Sequence, residues 1–455
     1  MKPSIPKGTR DFGPEEVRKR QFIFDTMRRT FIKYAYNPIE TPVMESLSTL
    51  MGKYGEEGDK LLFKVLNNGD FLSKADEAAL RQMDSQKLTT SISKRGLRYD
   101  LTVPFARYVV MHQNDISFPF KRYAIQPVWR ADRSQKGRYQ EFYQCDVDVV
   151  GSNSLMYEAE LIQIYDEVFT QLNVDVIIKV NNRKILAGIA EAAGIADKFV
   201  AMTTSIDKLD KIGIEGVKKD LLNKGLTNTN VDNIVDIFQI TGLDRLEEKI
   251  GHTEIGKKGI EELRAFHEYL DQKECKNKVE FDITLARGLS YYTGCIFEVV
   301  HNKVTYPDLV MGSIGGGGRY DDLTGIFGLK NVSGVGVSFG AARIYDVMNE
   351  MNLFPASTST GIEVLLIAMN DATHKYAFSC LNELRATGIS SDLYPSPAKM
   401  KKQMKYANDN KVPYVVIIGD EEMQTQQLSF KNMATGEQES LSLQQIIEKI
   451  KNAQA

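Results

Sequence analysis

Phe120-Lys-Arg-Tyr-Ala-Ile-Gln-Pro-Val-Trp-Arg-Ala-Asp132 and Glu141-Phe-Tyr-Gln-Cys-Asp-Val-Asp-Val-Val150 both alternate with period two, the pattern of half-buried strands. In the first, Arg122, Gln126, Arg130 and Asp132 fall on one face, and Tyr123, Ile125 and Trp129 on the other. In the second, Gln144, Asp146 and Asp148 lie opposite Tyr143, Cys145, Val147 and Val149. The polar loop Arg133-Ser-Gln-Lys-Gly-Arg-Tyr139 between them predicts an antiparallel hairpin. One face is apolar enough to pack on helices. The other carries arginine and carboxylates, which a core rejects because unpaired buried charge costs several kcal/mol. A solvent-washed sheet face with surface ion pairs gives the same pattern, but further polar runs at 98–102 and 287–292 favour a site.

Upstream, Val17, Phe24, Met27, Phe31 and Tyr34 recur at helical spacing from Pro14 to about Ala35, among Arg18, Lys19, Arg20, Arg28, Arg29 and Lys33. This predicts an amphipathic helix with a basic outer face. Asn37-Pro-Ile-Glu-Thr-Pro-Val-Met-Glu45 holds two prolines in an extended run, which restricts it to an edge strand or an interface. Downstream, residues 173–280 break into helical runs at 184–193, 206–222, 230–240 and 261–271, separated by Gly194, Gly225, Gly242 and Gly251. Strands resume at 281–286 and 295–300 and in the glycine-dense stretch 312–321. The Ser/Thr run 356–361 predicts a linker. Beyond it come strand 363–369, helix 375–387, strand 389–394, helix 399–410, strand 413–419, a hairpin turning at 434–437 and a last helix near 443–451, which together predict a mostly parallel α/β domain.

A chain of 455 residues accommodates two to four domains at roughly 100–200 residues each. Its 57 Lys/Arg against 60 Asp/Glu, with 42% hydrophobic residues, exclude bulk disorder and a supercharged nucleic-acid tail. Near-neutrality is a sum, however. Residues 1–35 carry nine basic and four acidic side chains, and 393–408 contains Lys399, Lys401, Lys402 and Lys405 with no acid. Cys145, Cys275, Cys295 and Cys380 are far apart, giving neither a disulfide framework nor a thiolate metal signature. No run reaches the ~18 apolar residues of a membrane span, and the polar N-terminus has no signal-peptide core, so a cytoplasmic protein is expected.

Glycine motifs for nucleotides fail on inspection. Gly251-His-Thr-Glu-Ile-Gly-Lys257 is followed by Lys258 where a phosphate loop needs Ser or Thr, and it follows a helical run. Gly334-Val-Gly-Val-Ser-Phe-Gly340 is one residue too long for a dinucleotide fingerprint but fits a strand entering a helix that holds Arg343. Arginine suits a phosphate clamp because its planar fork holds two oxygens and keeps its charge, which makes Arg130, Arg287 and Arg343 candidates. Asp100, Asp132, Asp146 and Asp148 can hold an ammonium or a metal ion. The combination fits a zwitterion and a polyphosphate bound together. The five histidines are scattered, and neither a serine elbow nor a zinc helix is present, so positioning and charge stabilisation are expected to drive the chemistry.

These residues resemble the histidyl-tRNA synthetase family of class II aminoacyl-tRNA synthetases over essentially the whole chain. The Pro42 segment resembles motif 1, which lies at a dimer interface. Residues 128–132 with 137–142 resemble motif 2, and 334–343 motif 3. Leu97-Arg-Tyr-Asp-Leu-Thr102 and Ala286-Arg-Gly-Leu-Ser-Tyr-Tyr292 resemble the histidine signatures. The resemblance implies an α+β catalytic domain, an antiparallel sheet flanked by helices, over 1–172 and 281–355. It also implies a helical insertion domain at 173–280 that contacts RNA and an α/β anticodon-binding domain at 361–455. Asp100, Thr102 and Gln144 would hold the substrate ammonium. Asp148 and Tyr292 would read the imidazole, with Tyr291 and Tyr320 walling the pocket. Arg130 would bind the α-phosphate, Arg343 the γ-phosphate, and Arg287 both the substrate carboxylate and the α-phosphate. Asp132 and Arg138 join the ATP site, and Gln135 and Lys136 lie in the same loop. The implied partners are ATP with Mg²⁺, histidine, tRNA(His) and a second copy of the chain, with no membrane and no metal held by a protein signature. A noncatalytic regulator sensing histidine or tRNA is the alternative. Such proteins tend to lose the arginines or the C-terminal domain, and this chain keeps both. Ser290, Ala342 and Asp132 depart from the family pattern, where Asp, Glu and Glu are usual.

Overall fold

The computed structural model describes residues 2–53, 55–133, 137–286 and 291–454. They group into two compact units, one formed by residues up to Asp11 and by Ile23–Leu353, the other by Phe12–Phe22 with the chain from Phe354. Among the described residues no helix is long and apolar enough to cross a membrane.

The larger unit is built on an eight-stranded sheet in the spatial order Asn37–Pro38, Phe120–Trp129, Glu141–Val150, Gly334–Phe339, Gly315–Tyr320, Cys295–His301, Val176–Asn182, Lys278–Phe281. The two outermost pairings are parallel and the rest antiparallel. The expected hairpin is present, with Arg122 opposite Asp148, Ala124 opposite Asp146 and Gln126 opposite Gln144. Asn37–Pro38 occupies a sheet edge, where a missing amide breaks no ladder. Met44–Ser46 leaves for a separate three-stranded sheet with Arg95–Leu97 and Lys64–Val65.

Helices Pro14–Lys33 and Met156–Gln171 cover the apolar face. Phe31, Tyr165 and Phe169 converge on Phe339 at ring separations of 5.7, 4.6 and 5.7 Å, and Phe31 also meets Tyr123 at 5.4 Å. The buried stripe of the first helix is Ile23, Met27 and Phe31 with Thr26 and Thr30, whereas Val17 and Phe24 are not buried. The short Thr side chains let the helix lie close to the sheet.

The region expected to be helical from residue 173 in fact contributes two strands. Val176-Ile-Ile-Lys-Val180 is a nearly continuous β-branched run, which fits a strand covered on both faces, and Lys278–Phe281 pairs with it. Between them lie helices Arg183–Ala192, Phe199–Ile206, Leu209–Asn223, Asn228–Phe238, Leu243–Ile250 and Glu254–Leu270. Residues 251–253 join the last two, and Thr253 caps the final one by accepting from the Gly256 amide.

The smaller unit orders its strands Ser391–Leu393, Val364–Ala368, Tyr414–Ile418, Leu428–Asn432, Gln438–Leu441. The first three are parallel and the last two antiparallel. Ala377, Leu381, Leu384, Ile446 and Ile450 fill the core on one face, and Ala407 packs with Leu365 and Val415 on the other. Helix Asp371–Ala386 starts before the expected 375 because Asn370 and Thr373 form a capping box. Helix Asp420–Thr425 was not expected. The 356–361 run holds a short 3₁₀ turn whose Thr358 carbonyl accepts from Arg18 Nε at 3.1 Å.

A buried ion pair ties the glycine strand to helix Met156–Gln171. Arg319 Nε and Nη2 donate to Glu158 at 2.5 and 2.7 Å, and Nη1 donates to the Ser152 carbonyl at 2.9 Å. Removing one partner strands the other charge. Glu158→Ala is therefore expected to destabilise the chain by about 3–5 kcal/mol, read as a lower midpoint in thermal and denaturant melts.

Candidate functional site

Alternation along the central strands sends Cys145 and Phe339 to the helix side and Gln144, Asp146 and Ser338 to the opposite face, where a cavity of about 640 Å³ opens. Its floor is backbone. Gly318 pairs with Gly336 and Gly316 with Ser338. A Cβ on Gly317 would stand 2.1 Å from the Gly336 carbonyl oxygen, and one on Gly318 would stand 2.6 Å from that of Cys295. On Gly336 it would stand 1.9 Å from Asp148 Oδ1. No other residue type fits these positions without displacing backbone or the carboxylate.

One end of the cavity is acidic and aromatic. Asp148 is buried, accepts from Tyr320 Oη at 2.7 Å, and pairs with Arg122 Nη2 at 2.7 Å. Sequence alternation groups Arg122 with the site-facing residues, but it is wholly buried and not among the cavity-lining side chains. Burial pushes Asp146 up to about 7 against the pull of Arg122, with Asp148 adding to the rise. Burial raises Asp148 as well, opposed by Arg122 and the Tyr320 hydroxyl. The half-buried Tyr291 and the buried Tyr320 are held well above the usual phenol range by the same desolvation. Asp100, in the turn before helix Thr102–Met111, accepts from the Val103 amide at 3.1 Å, which fixes its position beside Thr102. Gln144 Nε2 donates to Ser338 Oγ at 3.3 Å, while its Oε1 and Asp146 Oδ1 are buried with no protein hydrogen bond among the described residues.

The other end is cationic. Arg130 Nε donates to the Tyr99 carbonyl at 3.0 Å, and its guanidinium lies 4.3 and 5.2 Å from the Tyr99 and Phe142 rings. Arg343, in the first turn of helix Ala341–Glu350, donates from Nε to the Gly137 carbonyl at 3.0 Å and from Nη1 to that of Ser313 at 2.5 Å. Arg138 stands 3.7 Å from Asp132.

Asp100, Thr102, Arg130, Asp132, Arg138, Gln144, Asp148, Tyr291, Tyr292, Tyr320 and Arg343 all line this one cavity, as does Ala342. Arg287, Ser290, Gln135 and Lys136 lie outside the described residues. Sequence reasoning missed Ser338 and Glu298, which the register places in one row with Asp146 and Gly316. Each is a single polar residue in an apolar run, a signal that appears only once the pairing is known. It also missed Asp207, which lines the cavity from the end of a helix and has no sequence mark.

An antiparallel sheet that carries an acidic pocket and an arginine-lined pocket on one face, with a glycine strand as floor and an arginine helix as rim, defines the class II aminoacyl-tRNA synthetase catalytic fold. Residues 67–344 match the histidyl-tRNA synthetase family, and 363–453 match the anticodon binding domain family. The chain is 54% identical over 448 residues to a histidine–tRNA ligase of Christiangramia forsetii, covering 97% of both chains, and 52% identical to that of Phocaeicola vulgatus, covering 99% of both. A solved histidyl-tRNA synthetase from Nostoc superposes with a TM-score of 0.84 at 29% identity, covering 100% of both chains. The chain belongs to the histidyl-tRNA synthetase family.

The raised Asp146 makes the ligand-free protein pH-sensitive. Its folded pKa lies above the ordinary carboxylate value, so the native state binds the extra proton, and that contribution to stability is lost as pH rises through about 7. Asp146→Asn removes the effect. The melting temperature of the empty variant is expected to match wild type below about pH 4, to exceed it increasingly as pH rises toward 7, and to hold a constant lead above that.

Proposed function

We propose that the chain activates histidine with ATP and passes the product to the 3′ end of tRNA(His). The observation that carries this reading is one cavity with carboxylates and phenols at one end and arginines at the other, in a chain of this family. In the first step a substrate carboxylate oxygen attacks the α-phosphorus. A new O–P bond forms, the bond to the bridging oxygen breaks, and pyrophosphate leaves. In the second, a hydroxyl of the terminal tRNA ribose attacks the activated carbonyl and AMP leaves. Neither step needs a protein nucleophile. Two anions must meet in the first, and charge grows on the phosphoryl oxygens, so fixed cations lower the barrier.

Arg130 takes the α-phosphate and Arg343 the γ-phosphate, with Asp132 and Arg138 beside the nucleotide and Arg287 bridging the substrate carboxylate to the α-phosphate. Asp100, Thr102 and Gln144 take the ammonium. Asp148 and Tyr292 read the two ring nitrogens, walled by Tyr291 and Tyr320. A site of such polar partners rejects analogues that leave them unpaired, typically by ~10⁴ or more. Among the described residues no cluster of three or more metal-ligating side chains is present. Among the carboxylates that line the cavity, Asp132 and Glu298 fit an ion arriving with ATP, since Mg²⁺ is commonly held by one or two carboxylates and the phosphates. When bound it would neutralise phosphate charge.

The smaller unit binds the tRNA, with exposed Lys399, Lys401, Lys402 and Lys405 on or beside helix Met400–Asp409 available to phosphates. The protein acts in the cytoplasm as a homodimer through the segment around Pro42, where Val43 and Met44 are exposed.

Amino-acid-dependent ATP–pyrophosphate exchange across all twenty amino acids is expected to respond to histidine alone. Exchange with another amino acid overturns the specificity, and none at all favours a regulator that senses histidine or tRNA. Asp148→Ala is expected to raise the histidine KM by roughly 100-fold or more while leaving the ATP KM within about twofold.

A further inference from the structure

Arg122 is among the largest fully buried side chains of the molecule. It lies behind the cavity wall, and its guanidinium rests 4.2 Å from the Phe105 ring. Only Nη2 is engaged, with Asp148 at 2.7 Å and the Leu101 carbonyl at 3.5 Å. Nε and Nη1 are buried without a hydrogen-bond partner among the described residues, and so is Asp146 Oδ1. Asp148 stands directly opposite Arg122 in the hairpin and Asp146 stands opposite Ala124, so the two carboxylates are the direct and diagonal cross-strand neighbours of this cation. Arg122 thus pairs with one buried carboxylate and lies diagonal to a second. The arrangement is costly and underfilled, which a purely structural ion pair does not require.

We propose that Arg122 is a positioning residue for substrate selection: a single buried guanidinium, paired with Asp148 and diagonal to Asp146, that holds Asp148 against the cavity and keeps it an acceptor for a ring N–H of the bound amino acid. The inference rests on the reading of the substrate given above. Its physical core is the sign of a hydrogen bond. Burial raises both carboxylates, and Arg122 is the strongest force opposing that rise in each. Without it the rise at Asp148 loses its main opponent, and a protonated carboxyl would offer a donor where the substrate also offers one. The groups that face the pair are Arg122 from the first hairpin strand, Tyr320 and Ser338 from the next two strands, and Asp100 from the turn before helix Thr102–Met111. Of these only Arg122 is cationic. A lysine keeps the charge but lacks the planar guanidinium that lies against the Phe105 ring and reaches Asp148 and the Leu101 carbonyl.

The test is histidine- and ATP-dependent pyrophosphate exchange by the full chain carrying Arg122→Lys, Arg122→Met, or Arg122→Met with Asp146→Asn. The histidine KM is expected to rise roughly 10-fold in Arg122→Lys and roughly 100-fold in Arg122→Met. The ATP KM stays within about twofold, because Arg130 and Arg343 are held by other partners. Adding Asp146→Asn to Arg122→Met removes one of the two carboxylates left without a cation and is expected to recover a factor of roughly ten. If Arg122→Met does not fold, Arg122→Lys decides. An unchanged histidine KM in Arg122→Lys, equal rises for both substrates, or no recovery in the double variant overturns the proposal. A wild-type chain that exchanges pyrophosphate with no amino acid, or with a different one, refutes the functional reading instead.

Discussion

Asp148 lies in the space that a side chain on Gly336 would occupy, and the catalytic sheet is organised around that close approach. The missing Cβ lets a carboxylate rest on the neighbouring backbone, where Tyr320 from the glycine strand reaches one oxygen and Arg122 from the hairpin reaches the other. Three strands thereby fix one acceptor. Burial supplies rigidity and raises the proton affinity of the group, and the two partners restrain that rise. Neither effect alone makes a recognition site. A solvated carboxylate bonds to water, and a buried unpaired one stays protonated.

The cationic end follows a different logic. Arg130 and Arg343 are steered by backbone carbonyls, those of Tyr99, Gly137 and Ser313. A carbonyl fixes the direction of a guanidinium without itself neutralising it, an anchoring compatible with binding an anion. Rigid acceptors at one end and carbonyl-anchored cations at the other are thus carried by one face of the same sheet. Helices Pro14–Lys33 and Met156–Gln171 pack the reverse face, and smaller clusters around Phe105, Val109 and Tyr320 and around Leu101, Ala124 and Val128 support the site from its own side.

Much of this was legible in the sequence, and where it was not the cause is physical. Period-two alternation revealed the hairpin because its two faces differ in chemistry, and the strand-to-helix junction at Arg343 was legible from its glycines. Val176–Asn182 was lost in a helical region because a strand covered on both faces does not alternate. Alternation assigned Arg122 to the correct face but not to its depth, since depth depends on the partner strand. Ser338 and Glu298 belong to the site only through register, which is a relation between segments. The grouping of Asp100, Asp148, Tyr292 and Tyr320 followed from motif resemblance, whereas the hydrogen bond between Tyr320 and Asp148 followed from folding alone.

The opposed ends of the cavity also have a consequence before any contact forms. A free amino acid is itself a small dipole, with its ammonium and carboxylate a few ångströms apart. Between an acidic wall and an arginine wall, in a low-dielectric cleft, such a dipole experiences a torque. Molecules arriving backwards are turned or expelled, and those arriving correctly already have the reacting carboxylate on the phosphate side. The cavity therefore sorts orientation by its field first and identity by its hydrogen bonds second, and added salt erodes the first of these more readily than the second.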